Sequence, residues 1–170
     1  MERTLTEVVT RRERVASSAG AEISVRCEAL LFTTSSAPEF IDITDDVQRV
    51  VTEAGTRFGQ VTVYSTHTTA AIKVNEHEPL LLQDMARILS EVAPQHAEYE
   101  HNDFSRRVNI AEDECANGHS HCQHLFLSTS ETIPIVDGQL TIGRWQRIFL
   151  VELDQPRERR VLVNIIGVAG

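Results

Sequence analysis

From residue 23 the chain alternates: Ile23, Val25, Cys27, Ala29 and Leu31 are interleaved with Ser24, Arg26 and Glu28. A period of two predicts a half-buried strand. Phe40, Ile41 and Ile43 follow a loop around Pro38 and predict a short second strand. The period then changes. Val47, Val50, Val51 and Ala54 share a helical face, Thr44 suits the N-cap, and Asp45 and Asp46 fall in the first turn, where the helix dipole favours negative charge. Gly55 supplies the stop. Val61 and Val63 predict another strand after Gly59, and residues 70–74 are again extended. Pro79 suits the first position of a second helix, whose apolar face is Leu81, Leu82, Met85, Ile88, Leu89 and Val92 and which ends before Pro94.

Residues 95–118 are polar and irregular, and a loop of that length in a compact domain is usually functional or disordered. His121, Leu125 and Ser128 share a face if residues 119–128 form a short helix, the reading favoured here. Residues 132–136 and 139–142 flank Asp137-Gly138, a two-residue hairpin signal. Strands are predicted over 147–153 and 160–168, with a turn at Asp154-Gln155-Pro156-Arg157. This order predicts an α+β fold with much antiparallel pairing and two or three helices. A single domain is expected over residues 21–170, and residues 1–20 read as an N-terminal arm, loosely paired or disordered.

Composition narrows the setting. A chain of 170 residues, 41% hydrophobic and 24% charged, is large enough for one real core. No apolar run is long enough for a membrane span, and the N-terminus lacks the apolar stretch of a secretory signal, so a cytoplasmic location without a membrane partner is expected. The three cysteines, Cys27, Cys115 and Cys122, suggest no disulfide framework. A net charge of −9 argues against nucleic acid as a partner, because phosphate backbones reward clustered positive charge.

Seven histidines carry the candidate chemistry, three of them within six residues: His119, His121 and His124. Neutral imidazole is both a common metal ligand and a proton carrier near neutral pH. An extended segment would pair His119 with His121, whereas a helix would pair His121 with His124. The same side chains could equally hydrogen-bond within a polar loop. Ser65-Thr66-His67-Thr68-Thr69 sets four hydroxyls around one histidine, suited to phosphate or to orienting an imidazole, though threonine is also a good strand former. Asn75-Glu76 either caps the following helix or brings an amide and a carboxylate to a site. Arg144 and Arg147 bracket Trp145 and could clamp an anion, with Trp145 read as a core or interface anchor. Arg157, Arg159 and Arg160 read as surface charges. No Walker loop, dinucleotide glycine fingerprint or Gly-x-Ser-x-Gly elbow is present in the sequence.

Six blocks in order carry a family resemblance: Ile41-Asp42-Ile43-Thr44; Thr66-His67-Thr68-Thr69-Ala70-Ala71-Ile72; Asn75-Glu76 with Pro79-Leu80-Leu81-Leu82-Gln83-Asp84; Tyr99-Glu100-His101-Asn102-Asp103; Asn117-Gly118-His119-Ser120-His121; and Pro134 through Gly143-Arg144-Trp145-Gln146 to Glu152-Leu153-Asp154-Gln155-Pro156-Arg157. Over about residues 33–167 the chain resembles the YjbQ-like family, often labelled secondary thiamine-phosphate synthases. The resemblance implies an α+β fold with a barrel-like antiparallel sheet, a homotrimer, and low-level joining of the pyrimidine and thiazole phosphates of thiamine. A metal-dependent hydrolase or isomerase of a small phosphorylated metabolite, and a non-enzymatic ligand-binding trimer, stand as alternatives. It further implies His67, His119 and His121 as ligands of a divalent ion such as Zn²⁺ or Mg²⁺, and His101, Asp103 and Glu76 as catalytic groups. Thr68, Thr69, Asn75 and Arg144 would contact the ligand. Arg144 stands where the family pattern has threonine, and Ser128-Thr129-Ser130-Glu131 replaces a glycine-containing stretch.

Overall fold

The computed structural model describes residues 22–112 and 114–169, so the proposed N-terminal arm lies outside the described residues. The elements run β1 (Ile23–Thr33), β2 (Glu39–Asp42), α1 (Thr44–Ala54), β3 (Thr56–Ser65), β4 (Ala70–Glu76) and α2 (Pro79–Val92). A single 3-10 turn at Glu100–Asn102 follows, then α3 (Gly118–His124), β5 (Ser130–Val136), β6 (Gln139–Leu140), β7 (Gln146–Glu152) and β8 (Glu158–Ala169). The expected α+β class is the observed one. A five-stranded sheet of order β1-β8-β3-β5-β6 and a three-stranded sheet of order β2-β7-β4 are both antiparallel. The two curl around one core, joined where Ile72 bridges to Ser128.

The core explains the composition of β7. Ile148 and Leu150 face the main cluster with Val47 and Val51 of α1 and Val61, Val63, Val163 and Ile165 of the large sheet. Phe149 and Val151 point the other way, into a second cluster with Ala71, Leu153 and Leu89 of α2. A strand covered on both faces has no polar alternation to keep, hence its continuous apolar run.

Several local expectations change. Thr44 is not the N-cap of α1; Ile43 occupies that position, and the Thr44 hydroxyl donates to Asp42 Oδ1 at 2.7 Å while accepting from Ile148 N–H at 2.8 Å. Helix α2 is capped by Glu78, whose carboxylate accepts from the N–H groups of Leu80 and Leu81, so Asn75 and Glu76 play no capping part. Helix α3 stops at His124, shorter than 119–128, and the strand after the hairpin covers only 139–140. The hairpin turn is as expected, with Asp137 and Gly138 both at positive φ, 51° and 77°.

The largest change is in β1. Its period of two is present, but the apolar set faces outward: Ile23 is 73% exposed, Val25 68% and Leu31 60%. Leu30 and Phe32, from the opposite face, pack on the main core. Register therefore places Ile23 beside Val168 and Val25 beside Ile166 on an uncovered apolar face. Among the described residues no helix is long and apolar enough to cross a membrane.

Candidate functional site

Three separate segments meet over the ends of β3, β4 and β8. His67 sits in the turn between β3 and β4, His101 in the 3-10 turn and His121 on α3. All three line one polar cavity of about 380 Å³ with residues 66, 68 and 69, Arg107, Glu114, Asn117, Arg157 and Arg159. The rings of His101 and His121 meet edge to face, 4.7 Å between centroids. Gly118 makes that approach possible. A Cβ there would lie 2.5 Å from Tyr99 Cβ, and its N–H instead donates to Asn102 Oδ1 at 2.9 Å, tying the turn that carries His101 to the start of α3.

His67 is held by the main chain. Its Nε2 accepts from Arg160 N–H at 2.8 Å, while the neighbouring Thr66 hydroxyl donates to Arg160 O at 3.0 Å. Burial, reinforced by the Arg159 and Arg157 cations, holds the His67 pKa below the ordinary imidazole value. A neutral ring with an accepting Nε2 must carry its proton on Nδ1. His67 is thus fixed as a hydrogen-bond donor. Burial likewise lowers the pKa of His121, with His101 and His124 adding to the effect. The Nε2 of His101 is buried without a hydrogen-bond partner, with Glu114 3.9 Å away.

The arginines rest on a buried acidic base. Glu152, fully buried, is paired with Arg159 (Nε to Oε2 2.6 Å, with a second contact from Nη2) and also accepts from Thr34 Oγ1 and the N–H groups of Leu153 and Asp154. The reading of Arg159 as a surface charge is therefore corrected: it is 2% exposed, and its Nη2 reaches Thr69 Oγ1 at 3.1 Å. Arg157 gives Nη2 to Asp154 at 2.8 Å and to Cys115 Sγ at 3.5 Å. Arg107 gives Nη1 to Glu114 at 3.2 Å and His101 O at 3.3 Å. The other guanidinium nitrogens of Arg107 and Arg157 have no protein acceptor among the described residues, so both retain donors for an anion in the cavity.

The other expected site residues lie elsewhere in the chain. His119 is buried on the opposite side of α3 and lines a separate cavity with Gln123 and Asp154, because helical geometry turns it away from His121. Asn75 packs against Met85 in a groove beside α2, donating to Sδ at 3.1 Å. Glu76 is the last residue of β4 and lines neither cavity. Asp103 accepts from Ser105 N–H and Arg106 Nε. Arg144 lies over the exposed Trp145 ring, 4.6 Å from its centroid. Arg147 is bound to Asp42 and Asp45, so Arg144 and Arg147 form no clamp, and Trp145 is no core anchor. Among the described residues no three His, Cys, Asp or Glu side chains are grouped to hold a metal ion. His67 and His121 line one cavity and His119 another, so the three expected ligands are not brought together among the described residues of one chain.

Sequence reasoning missed Arg107, Arg157, Arg159, Glu114 and Asn117. One signal was available: Glu152 directly follows the apolar run 148–151 of β7, and a carboxylate buried there requires a cationic partner. His124, which the family resemblance does not include among the site residues, lines a second cavity of about 480 Å³ that shares residues 66–68 and His121 with the first.

The comparisons agree with the fold. Residues 28–168 match the family described as UPF0047 protein YjbQ-like. A UPF0047 protein of Methanothermobacter thermautotrophicus is 37% identical over 148 residues, 87% of this chain and 96% of the relative. YugU of Bacillus subtilis is 31% identical over 141 residues, 82% of this chain and 98% of YugU. A crystal structure of a YbjQ-like protein of unknown function from Sulfolobus solfataricus superposes with TM-score 0.77 at 34% identity, covering 86% of this chain and 99% of that one. A Clostridium acetobutylicum protein of the same family gives 0.72 at 34%, covering 81% and 98%. Sequence and fold agree over nearly the whole described chain, and it belongs to the YjbQ-like UPF0047 family.

Proposed function

We propose that the cavity of His67, His101 and His121 binds a small phosphorylated metabolite and moves a proton at it. The observation that carries this reading is the fixed tautomer of His67, which leaves a proton on Nδ1 of a ring that lines the cavity where Arg107 and Arg157 keep unspent donors. Charge-assisted donors of this kind suit phosphate oxygens. The paired rings of His101 and His121 supply proton acceptors and donors beside them.

The first reaction to test is the joining of a pyrimidine diphosphate to a thiazole phosphate. There the carbon–oxygen bond to pyrophosphate breaks, the thiazole nitrogen forms the new carbon–nitrogen bond, and the pyrophosphate leaves with its pair of electrons. The arginines and His67 would stabilise the leaving anion, and His101 would protonate it. A second reading, hydrolysis or isomerisation of a phosphorylated metabolite, is favoured by the edge-to-face contact of His101 with His121, which sets two imidazoles side by side in the cavity.

The test is incubation of purified protein with both thiamine precursors, with Mg²⁺, Mn²⁺ or Zn²⁺ supplied. Thiamine phosphate should form, and His121→Ala should slow it by about 100-fold. No product under any of these conditions defeats the joining reaction. Failure of the protein to bind inorganic phosphate as well would defeat the wider reading.

A further inference from the structure

Two cavities flank the same wall. Residues 66–68 and His121 line both the arginine-bearing cavity and the second one, whose other lining is Tyr64, Ser65, His124, Leu125 and Thr129. The first has the cations. The second offers an aromatic ring, an aliphatic side chain and hydroxyls, and no arginine or lysine. His124 adds a polar group with nothing to bind: its Nε2 is buried and has no hydrogen-bond partner. That atom is shut off from the cavity, and the rest of the imidazole lines a space large enough for a ring system.

From this we infer that the ligand is bipartite: a phosphoester whose anionic group lies among Arg107, Arg157 and His67, and whose ring-shaped organic body lies between Tyr64 and Leu125. A polar edge of that body meets His124. His67 and His121 then stand at the junction, beside the bond between the two parts. The inference rests on the phosphate-binding reading above and narrows its substrate class to phosphate esters of a cyclic, polar-edged alcohol or phenol. It makes His124 a specificity residue.

Titration calorimetry on the full chain tests this with three probes: inorganic phosphate, phenyl phosphate and 4-hydroxyphenyl phosphate. Phenyl phosphate should bind at least tenfold more tightly than inorganic phosphate. Leu125→Ser, at a position 80% exposed and so free to change without unfolding the chain, should remove most of that gain and leave inorganic phosphate binding unchanged. His124→Phe keeps a ring and should weaken 4-hydroxyphenyl phosphate about fivefold without affecting phenyl phosphate. Phosphate binding with no gain for either aryl ester overturns the bipartite ligand while leaving the phosphate reading intact. A gain that survives Leu125→Ser overturns it as well, because the ring would then lie elsewhere. Equal loss of both aryl esters in His124→Phe removes His124 from the specificity role. Absence of any phosphate binding defeats the earlier reading and this one together.

Discussion

Arg159 and Glu152 are 2% and 0% exposed, and each is the other's principal partner. Removing one leaves a charge buried without compensation. Arg159→Met is therefore expected to cost about 3–5 kcal/mol in denaturant unfolding, whereas replacing the exposed Arg144 should cost little. The histidines set a second residue-scale expectation. Burial lowers the pKa values of His67, His119 and His121 in the folded chain, so the unfolded chain binds protons first as pH falls. Stability should be full above the ordinary imidazole pKa of about 6.5 and decline below it until the folded rings also protonate. Thermal melts between pH 8 and pH 5 would measure the slope, which His121→Asn should flatten. A slope unchanged by that substitution would remove His121 from the account. At this scale the sequence was only partly legible. His67, His101 and His121 were identifiable because motif matching does not need geometry. Arg159 was misread because its burial depends on a carboxylate seven positions away across a turn.

Short elements hold the cavity together, and their caps and close contacts are where it can be broken. Gly118→Ala would push a Cβ into Tyr99. Backbone on both sides must then move, at about 1–3 kcal/mol, and His101 would shift from His121. Loss of phosphate binding well beyond the loss of stability is the expected result, with calorimetry and melting compared on one sample. Glu78→Ala, which uncaps α2 away from the cavity, should cost about 1 kcal/mol and leave binding unchanged. Helices α1 and α2 were legible from periodicity because each buries one stripe. The end of α3 was not, because Leu125 and Ser128 continue the helical face of His121 and no glycine or proline within residues 119–131 marks a stop. The face of β1 was misjudged for a different reason. A period of two says that one side of a strand is apolar, but not that the same chain covers it.

On the scale of the whole molecule, the uncovered row of Ile23, Val25, Leu31 and Ile166 sets an assembly expectation. Exposed apolar patches of this kind mark interaction surfaces, and the homotrimer implied by resemblance would cover it with copies of the same chain. Sedimentation should give a trimer whose melting temperature rises with protein concentration, and Val25→Lys should shift it toward monomer. A concentration-independent monomer would end that expectation. The hold on His67 has a different consequence. Its donor is the main-chain N–H of Arg160, which every amino acid except proline possesses. Position 160 is therefore free to drift in evolution without altering the protonation of His67, and the instruction that sets this proton is written in the alignment of a strand rather than in any one codon.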